Sequence, residues 1–244
     1  MHKEEIMLLD IQNFSKSYNS KTKAVDGLSL QINEGDIYGF IGHNGAGKST
    51  TLKCVSGILP FENGKILIDG MSIKDKPLEC KKVMAYIPDN PNIYPHLTGI
   101  GYLNFICDLY GVNKENRNKK IAYYVNKLEI SDILRDKIST YSHGTRQKIA
   151  LISAFIHEPK LLILDEPFVG LDPKAIFILK SLMKEYVKKD HAIFFSSHVL
   201  EVVEKLCNKV AIIKNGKLIS SGTLEEVKGD ESLEDIFLEL IDNV

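Results

Sequence analysis

The chain has 244 residues, with 31 basic and 32 acidic side chains and a formal net charge of -1. A hydrophobic share of 44% beside 26% charged residues excludes a disordered chain, which carries too few apolar groups to offset the entropy of ordering. The charge balance offers no electrostatic case for a nucleic-acid partner, and the length suffices for one large domain or two small ones.

Residues 6–14 and 24–32 are predicted strands, separated by the polar turn Asn19-Ser20-Lys21-Thr22-Lys23. So short a link predicts antiparallel pairing, because parallel strands need a crossover of a dozen residues or more. Residues 37–41 form a third predicted strand, followed by a glycine-rich turn and a helix over about 47–57. Residues 64–68 and 83–87 are further predicted strands. From about 98 to 157 the pattern turns helical: Leu103, Ile106, Leu109 and Tyr110 fall at helical spacing, as do Ile121, Val125 and Leu128. Buried-strand signals return at 161–164 and 192–196, with a helix over about 173–188 between them. Residues 208–213 and 217–220 are predicted to pair around Asn215-Gly216, a strong hairpin turn signal. The last segment, 223–242, is predicted helical and acidic. The alternation predicts an α/β core with a helical insertion.

Apolar runs such as 161–164 and 192–195 cover four residues, against the roughly 20 that a bilayer span takes. The N-terminus Met1-His2-Lys3-Glu4-Glu5 has no apolar stretch fit for a signal peptide, so a cytoplasmic protein is expected. Cys54, Cys80, Cys107 and Cys207 are widely spaced, which predicts buried thiols rather than metal ligands or disulfides.

The segment Gly42-His43-Asn44-Gly45-Ala46-Gly47-Lys48-Ser49 fits the phosphate-loop pattern Gly-x-x-x-x-Gly-Lys-Ser/Thr. Gly42, Gly45 and Gly47 let backbone N–H groups converge on phosphate oxygens. The helix that follows points its positive N-terminus at the same place. Lys48 suits the β- and γ-phosphates, and the Ser49 hydroxyl suits Mg²⁺. A chance glycine-rich turn is the alternative, opposed by the strand before the loop and the helix after it. The apolar run 161–164 ends in Asp165-Glu166. A buried strand that delivers two carboxylates at its C-terminal end suits metal and water chemistry. Asp165 is expected to hold Mg²⁺, directly or through water, and Glu166 to act as general base on the attacking water. An ordinary acidic turn is the alternative for that pair taken alone.

With these residues the chain resembles the nucleotide-binding subunit of ATP-binding cassette (ABC) transporters over about residues 7–242. The resemblance implies an α/β fold: a P-loop NTPase core with an antiparallel β subdomain and an inserted helical lobe. It implies one nucleotide-binding domain, with the core at about 7–88 and 158–222, the lobe at about 89–157 and a helical tail at about 223–242. ATP and Mg²⁺ are the implied ligands. Tyr18 matches the aromatic that stacks on adenine, and Gly42, Asn44, Gly45, Ala46, Gly47, Lys48, Ser49 and Thr50 match the phosphate-contacting stretch. Tyr141-Ser142-His143-Gly144-Thr145 stands where the family has its signature, commonly Leu-Ser-Gly-Gly-Gln. Through Ser142 and Gly144 it implies a contact with the γ-phosphate held by a second subunit. Gly170-Leu171-Asp172 resembles the loop that crosses that dimer interface, and His198, after Phe194-Phe195-Ser196-Ser197, matches the switch histidine.

Two positions depart from the family pattern. Asp89 replaces the usual Gln after Tyr86-Ile87-Pro88, either as a carboxylate ligand of Mg²⁺ or as an interface residue. His143 and Thr145 replace a signature Gly and Gln. His2, His43, His96, His157 and His191 are expected at the surface or in packing. The resemblance implies a homodimer or heterodimer of nucleotide-binding domains with two composite sites. It also implies a separate transmembrane permease, docked around Asp89 to Thr98 with Pro91, Tyr94 and Pro95, and hence a peripheral place at the inner face of the membrane. The Pro-Asp-Asn-Pro-x-x-Tyr-Pro run and the Tyr-Ser-His-Gly signature resemble export ATPases of the bacitracin-resistance type. The alternative is an ABC ATPase without a membrane partner, for example of the iron–sulfur assembly type. A cytosolic kinase leaves the signature and the switch histidine without a role.

Overall fold

The computed structural model describes residues 6–18 and 22–242. Asn19, Ser20 and Lys21 of the predicted turn, and the N-terminal residues including His2, lie outside the described residues. The described chain divides into two compact units: residues up to 86 with 160–166 and 183 onward, and residues 87–159 with 167–182.

The first unit opens with β1 (Met7–Ser17) and β2 (Lys23–Asn33), paired antiparallel as the short link predicts. Buried and less buried positions alternate along much of β2, the mark of a strand covered on one face. β3 (Ile37–Ile41) is buried at every position, as a strand covered on both faces must be. It runs into α1 (Lys48–Val55), then β4 (Asn63–Ile68), β5 (Met71–Ser72), α2 (Pro77–Val83) and β6 (Met84–Ile87). Helix α2 stands where the sequence pattern predicts no element, and it takes Val83 from the predicted strand. Its signals are nonetheless in the sequence: Pro77 at the start, Glu79 in the first turn, Lys81 and Lys82 in the last.

The second unit is helical, with α3 (Gly99–Leu109), α4 (Lys114–Lys127), a 3₁₀ turn (Ile138–Thr140) and α5 (His143–Ile156). The α5 residues Ile149, Ile152, Phe155 and Ile156 are fully buried. The chain then returns through β7 (Leu161–Asp165), α6 (Pro173–Val187), β8 (Ala192–Ser197), α7 (Leu200–Leu206), β9 (Lys209–Lys214) and β10 (Lys217–Thr223). Strands β9 and β10 form the predicted hairpin, with Asn215 (φ 48°) and Gly216 (φ 80°) both left-handed as its tight turn needs. The tail is two helices rather than one, α8 (Leu224–Lys228) and α9 (Leu233–Asp242). Thr223 and Glu226 cap α8 reciprocally, and Gly229 at φ 55° ends it.

Two sheets result, one of four strands in the order β2-β1-β4-β5 and one of six in the order β10-β9-β3-β8-β7-β6. Leu9 and Phe14 from β1, Leu52 and Val55 from α1, and Phe40, Ile163 and Phe194 from the six-stranded sheet share one apolar core. Each such side chain contributes about 1.5–3 kcal/mol on burial. The parallel registers Ile41↔Ser197 and Asp165↔Ser196 bring the C-terminal ends of β3, β7 and β8 to one edge. Parallel α/β sheets bind ligands at that edge.

Candidate nucleotide site

The loop between β3 and α1 is built by close approach. A Cβ at Gly42 would collide with the Ile213 carbonyl, and one at Gly47 (φ 112°) would sit 2.5 Å from the Ala24 carbonyl. Lys48 is 6% exposed and donates from Nζ to the Gly42 carbonyl at 2.6 Å and the His43 carbonyl at 3.3 Å. Its ammonium therefore rests on the loop that a phosphate would enter. Burial pulls the Lys48 pKa below its usual value, while Glu166 and Asp165 act in the opposite direction.

Both carboxylates come from the end of β7. Asp165 is 1% exposed, and its Oδ1 accepts from Ser49 Oγ at 3.1 Å and from Ser196 Oγ at 2.6 Å. Its Oδ2 is buried and has no hydrogen-bond partner. A buried carboxylate oxygen left free beside a serine hydroxyl fits a hard cation, which takes oxygen ligands, so these residues fit Mg²⁺. Glu166 stands at φ 47°, a left-handed conformation that costs a side-chain-bearing residue about 1–3 kcal/mol. Its N–H donates to Ser196 Oγ at 3.0 Å. Its carboxylate lies 3.9 Å from Lys48 Nζ through Oε1 and 2.9 Å from His198 Nδ1 through Oε2.

A cleft of about 760 Å³ adjoins the loop, lined by Tyr18, Lys48, Ser49, Thr50 and residues of the β1–β2 and β9–β10 turns. Tyr18 is 64% exposed, with its hydroxyl 3.2 Å from Thr50 Oγ1 and Lys16 Nζ 5.9 Å from its ring centre. Thr22, Ala24, Asn215 and Gly216 also line the cleft, and the sequence reading missed them as site residues. Gly216 donates to the Ala46 carbonyl at 2.9 Å and accepts from the Asp26 N–H at 2.8 Å, so the hairpin turn braces the loop. The Asn-Gly pair was visible in sequence, but its place beside the loop was not.

In the second unit, Ser142 caps α5 by accepting from the Thr145 N–H at 3.2 Å. Ser142 is exposed, and the first turn of α5 holds no acidic residue. Gly144 packs so closely on the Gly170 carbonyl that a Cβ would collide, and the His143 ring lies over Gly170 (φ 77°). Asp172 caps α6 by accepting from the Ala175 N–H at 2.8 Å, and Lys148 Nζ lies 3.0 Å from its other oxygen. These contacts, the Ala175 N–H first, hold the Asp172 carboxyl below its usual pKa. Asp89 is exposed, and its Oδ1 accepts from the Asn90 N–H at 2.9 Å.

Comparison with known proteins decides the family. Residues 25–169 match the family described as ABC transporter. The ABC-type transporter ATP-binding protein EcsA of Bacillus subtilis is 32% identical over 238 residues, covering 96% of both chains. The linearmycin resistance ATP-binding protein LnrL of Bacillus subtilis is 34% identical over 216 residues, covering 88% of this chain and 69% of that one. A solved structure of an ATP-binding subunit of an ABC transporter superposes with a TM-score of 0.92 at 31% identity, covering 96% of this chain and 99% of that one. The chain belongs to the ABC transporter family, as an ATP-binding subunit. It is an ATPase.

Other residues of this ABC ATPase take packing roles. His157 stacks on Tyr110 at 3.8 Å and pairs through Nδ1 with the Ser153 carbonyl, while His191 stacks on Tyr186 at 4.4 Å. His96 is exposed. His43 is part-buried, with Nδ1 2.7 Å from the Asn44 carbonyl. The four cysteines are buried free thiols, and burial pushes Cys54 up to about 12. Among the described residues, no helix is long and apolar enough to cross a membrane.

Proposed function

We propose that this subunit energises a separate membrane-spanning permease, in export, through ATP-driven pairing of two nucleotide-binding domains. The observation that carries the pairing is the exposed, serine-capped N-terminus of α5. Its N–H groups and helix dipole favour a phosphate, and no acidic side chain in the first turn opposes one. In this reading Ser142 and Gly144 receive the γ-phosphate of a nucleotide held on Gly42, Asn44, Gly45, Ala46, Gly47, Lys48, Ser49 and Thr50 of a second copy or a related chain. Tyr18 stacks on the adenine.

Within the first unit, Lys48 exchanges its backbone carbonyls for phosphate oxygens. Ser49 and Asp165 are the residues of this unit that would hold Mg²⁺. Bound there, Mg²⁺ neutralises developing phosphate charge. Glu166 accepts a proton from the attacking water, and His198, 2.9 Å from that carboxylate, orients it. Loss of the γ-phosphate removes the contact to Ser142 and opens the pair.

Permease docking has support from the exposed ring of Tyr94, which sits edge-on to the exposed Phe105 at 5.5 Å. Pro95 is exposed beside it, whereas Pro91 is buried and contributes support rather than contact. A permease partner places the subunit at the cytoplasmic face of the membrane. Export has support from the resistance role printed in the name of LnrL.

Glu166→Gln tests the reading. ATP should bind this variant undiminished and trap a dimer on gel filtration, with turnover lowered about a thousandfold. A monomer that keeps hydrolysing ATP would overturn both the base and the composite site.

A further inference from the structure

We propose that Ser196 is a positioning residue of the hydrolytic site, a single hydroxyl that sets the cation-side carboxylate Asp165 and the base Glu166 together. The proposal rests on the roles given above to those two residues.

Ser196 lies at the end of β8, in register with Asp165 on the neighbouring strand β7, and is 0% exposed. It follows the fully apolar run Ala192-Ile193-Phe194-Phe195. A hydroxyl at such a place costs stability unless it is hydrogen-bonded, so its bonds show what it does. A serine has one proton to donate and lone pairs to accept with. The Ser196 proton goes to Asp165 Oδ1 at 2.6 Å, and a lone pair takes the N–H of Glu166 at 3.0 Å. Donating to a carboxylate strengthens the oxygen's capacity to accept, so the two bonds reinforce each other.

The consequence at Asp165 is a division of labour between its oxygens. Oδ1 accepts from both Ser49 and Ser196, while Oδ2 is left buried and free. Rotation of the carboxylate would break two bonds, so Oδ2 is held as the oxygen aimed at a cation. The consequence at Glu166 is an anchored N–H on a residue whose φ of 47° an ordinary strand end would not adopt. That backbone geometry aims the Glu166 carboxylate between Lys48 and His198. The neighbouring Ser197 does something else, accepting the N–H of Val199 at 3.0 Å in the turn that carries His198.

Ser196→Thr and Ser196→Val test this, because the two side chains have nearly the same volume and differ in the hydroxyl. Ser196→Val should lower kcat about 10- to 100-fold and raise the Mg²⁺ concentration for half-maximal turnover. Its affinity for ATP should stay within about threefold of the parent, since the phosphate loop is untouched. Ser196→Thr should restore kcat to within about threefold. Parental kcat and Mg²⁺ dependence in Ser196→Val would overturn the proposal, as would equal losses in both variants, which assign the effect to volume. If Ser196→Val does not fold, Ser196→Ala is read by the same assays. Failure of that variant to fold too, while Ser196→Thr folds, makes the role structural and overturns the proposal. Glu166→Gln assayed in parallel separates the two ideas: full turnover there removes the base assignment, whereas its loss beside an active Ser196→Val removes Ser196 alone.

Discussion

Lys48, Asp165, Ser196 and Ser197 in the first unit are all nine-tenths or more buried, and each has hydrogen-bond partners within that unit. Ser142 and Asp89 in the second unit are exposed, and their side-chain bonds stay local, Ser142 with the N–H and hydroxyl of Thr145 and Asp89 with the N–H of Asn90. Burial in the first case assembles charges that attract or repel strongly in a low dielectric, so geometry there must be exact to within hydrogen-bond tolerance. Exposure in the second leaves a capped helix end open to solvent. In the proposed reading the first region holds a phosphate and the second meets one. In that reading one chain carries the groups for hydrolysis and depends on another to complete the site.

The largest effect is expected at the buried side. Lys48→Ala should weaken ATP binding about a hundredfold by calorimetry, the loss of charge-assisted bonds worth about 3 kcal/mol. Unchanged affinity would mean that the loop does not hold the phosphates. At the exposed side, Ser142→Ala should leave ATP binding to a single chain intact while ATP-driven dimerisation and turnover fall about tenfold. Loss of the cap should also cost α5 about 1 kcal/mol. If Ser142→Ala instead weakens binding to the isolated chain, the two regions do not divide the work as described. The smallest effect is expected at Tyr18, whose ring is exposed: Tyr18→Ala should lower affinity for ATP and ADP alike about fivefold in a fluorescence titration. A change confined to ATP would move Tyr18 from the base to the phosphates.

Local pattern carried much of this. The phosphate loop is contiguous, so residues 42–49 announce it with no help from the rest of the chain. Antiparallel pairing of β1 with β2 followed from a link too short for a crossover, and the β9–β10 hairpin from Asn215-Gly216. Helix α2 was missed because its seven residues show too few turns of apolar periodicity, although its end signals were present. The break inside the acidic tail at Gly229 shows only in the backbone there.

The sequence alone determined the class of chemistry: a phosphate loop, two carboxylates after a buried strand, a serine before a helix, and a histidine after another strand. These signals are short-range, because a turn or a strand end is specified by a few consecutive residues. Tertiary structure decided which of those pieces touch. Strand β3 lies between β8 and β9, far from both in sequence, which puts the Asn215-Gly216 turn against the loop, and the pairing of β8 with β7 puts Ser196 beside Asp165. No periodicity encodes such adjacency. It follows from packing a whole sheet around one apolar core, where each strand's neighbours are chosen by the fit of all the others.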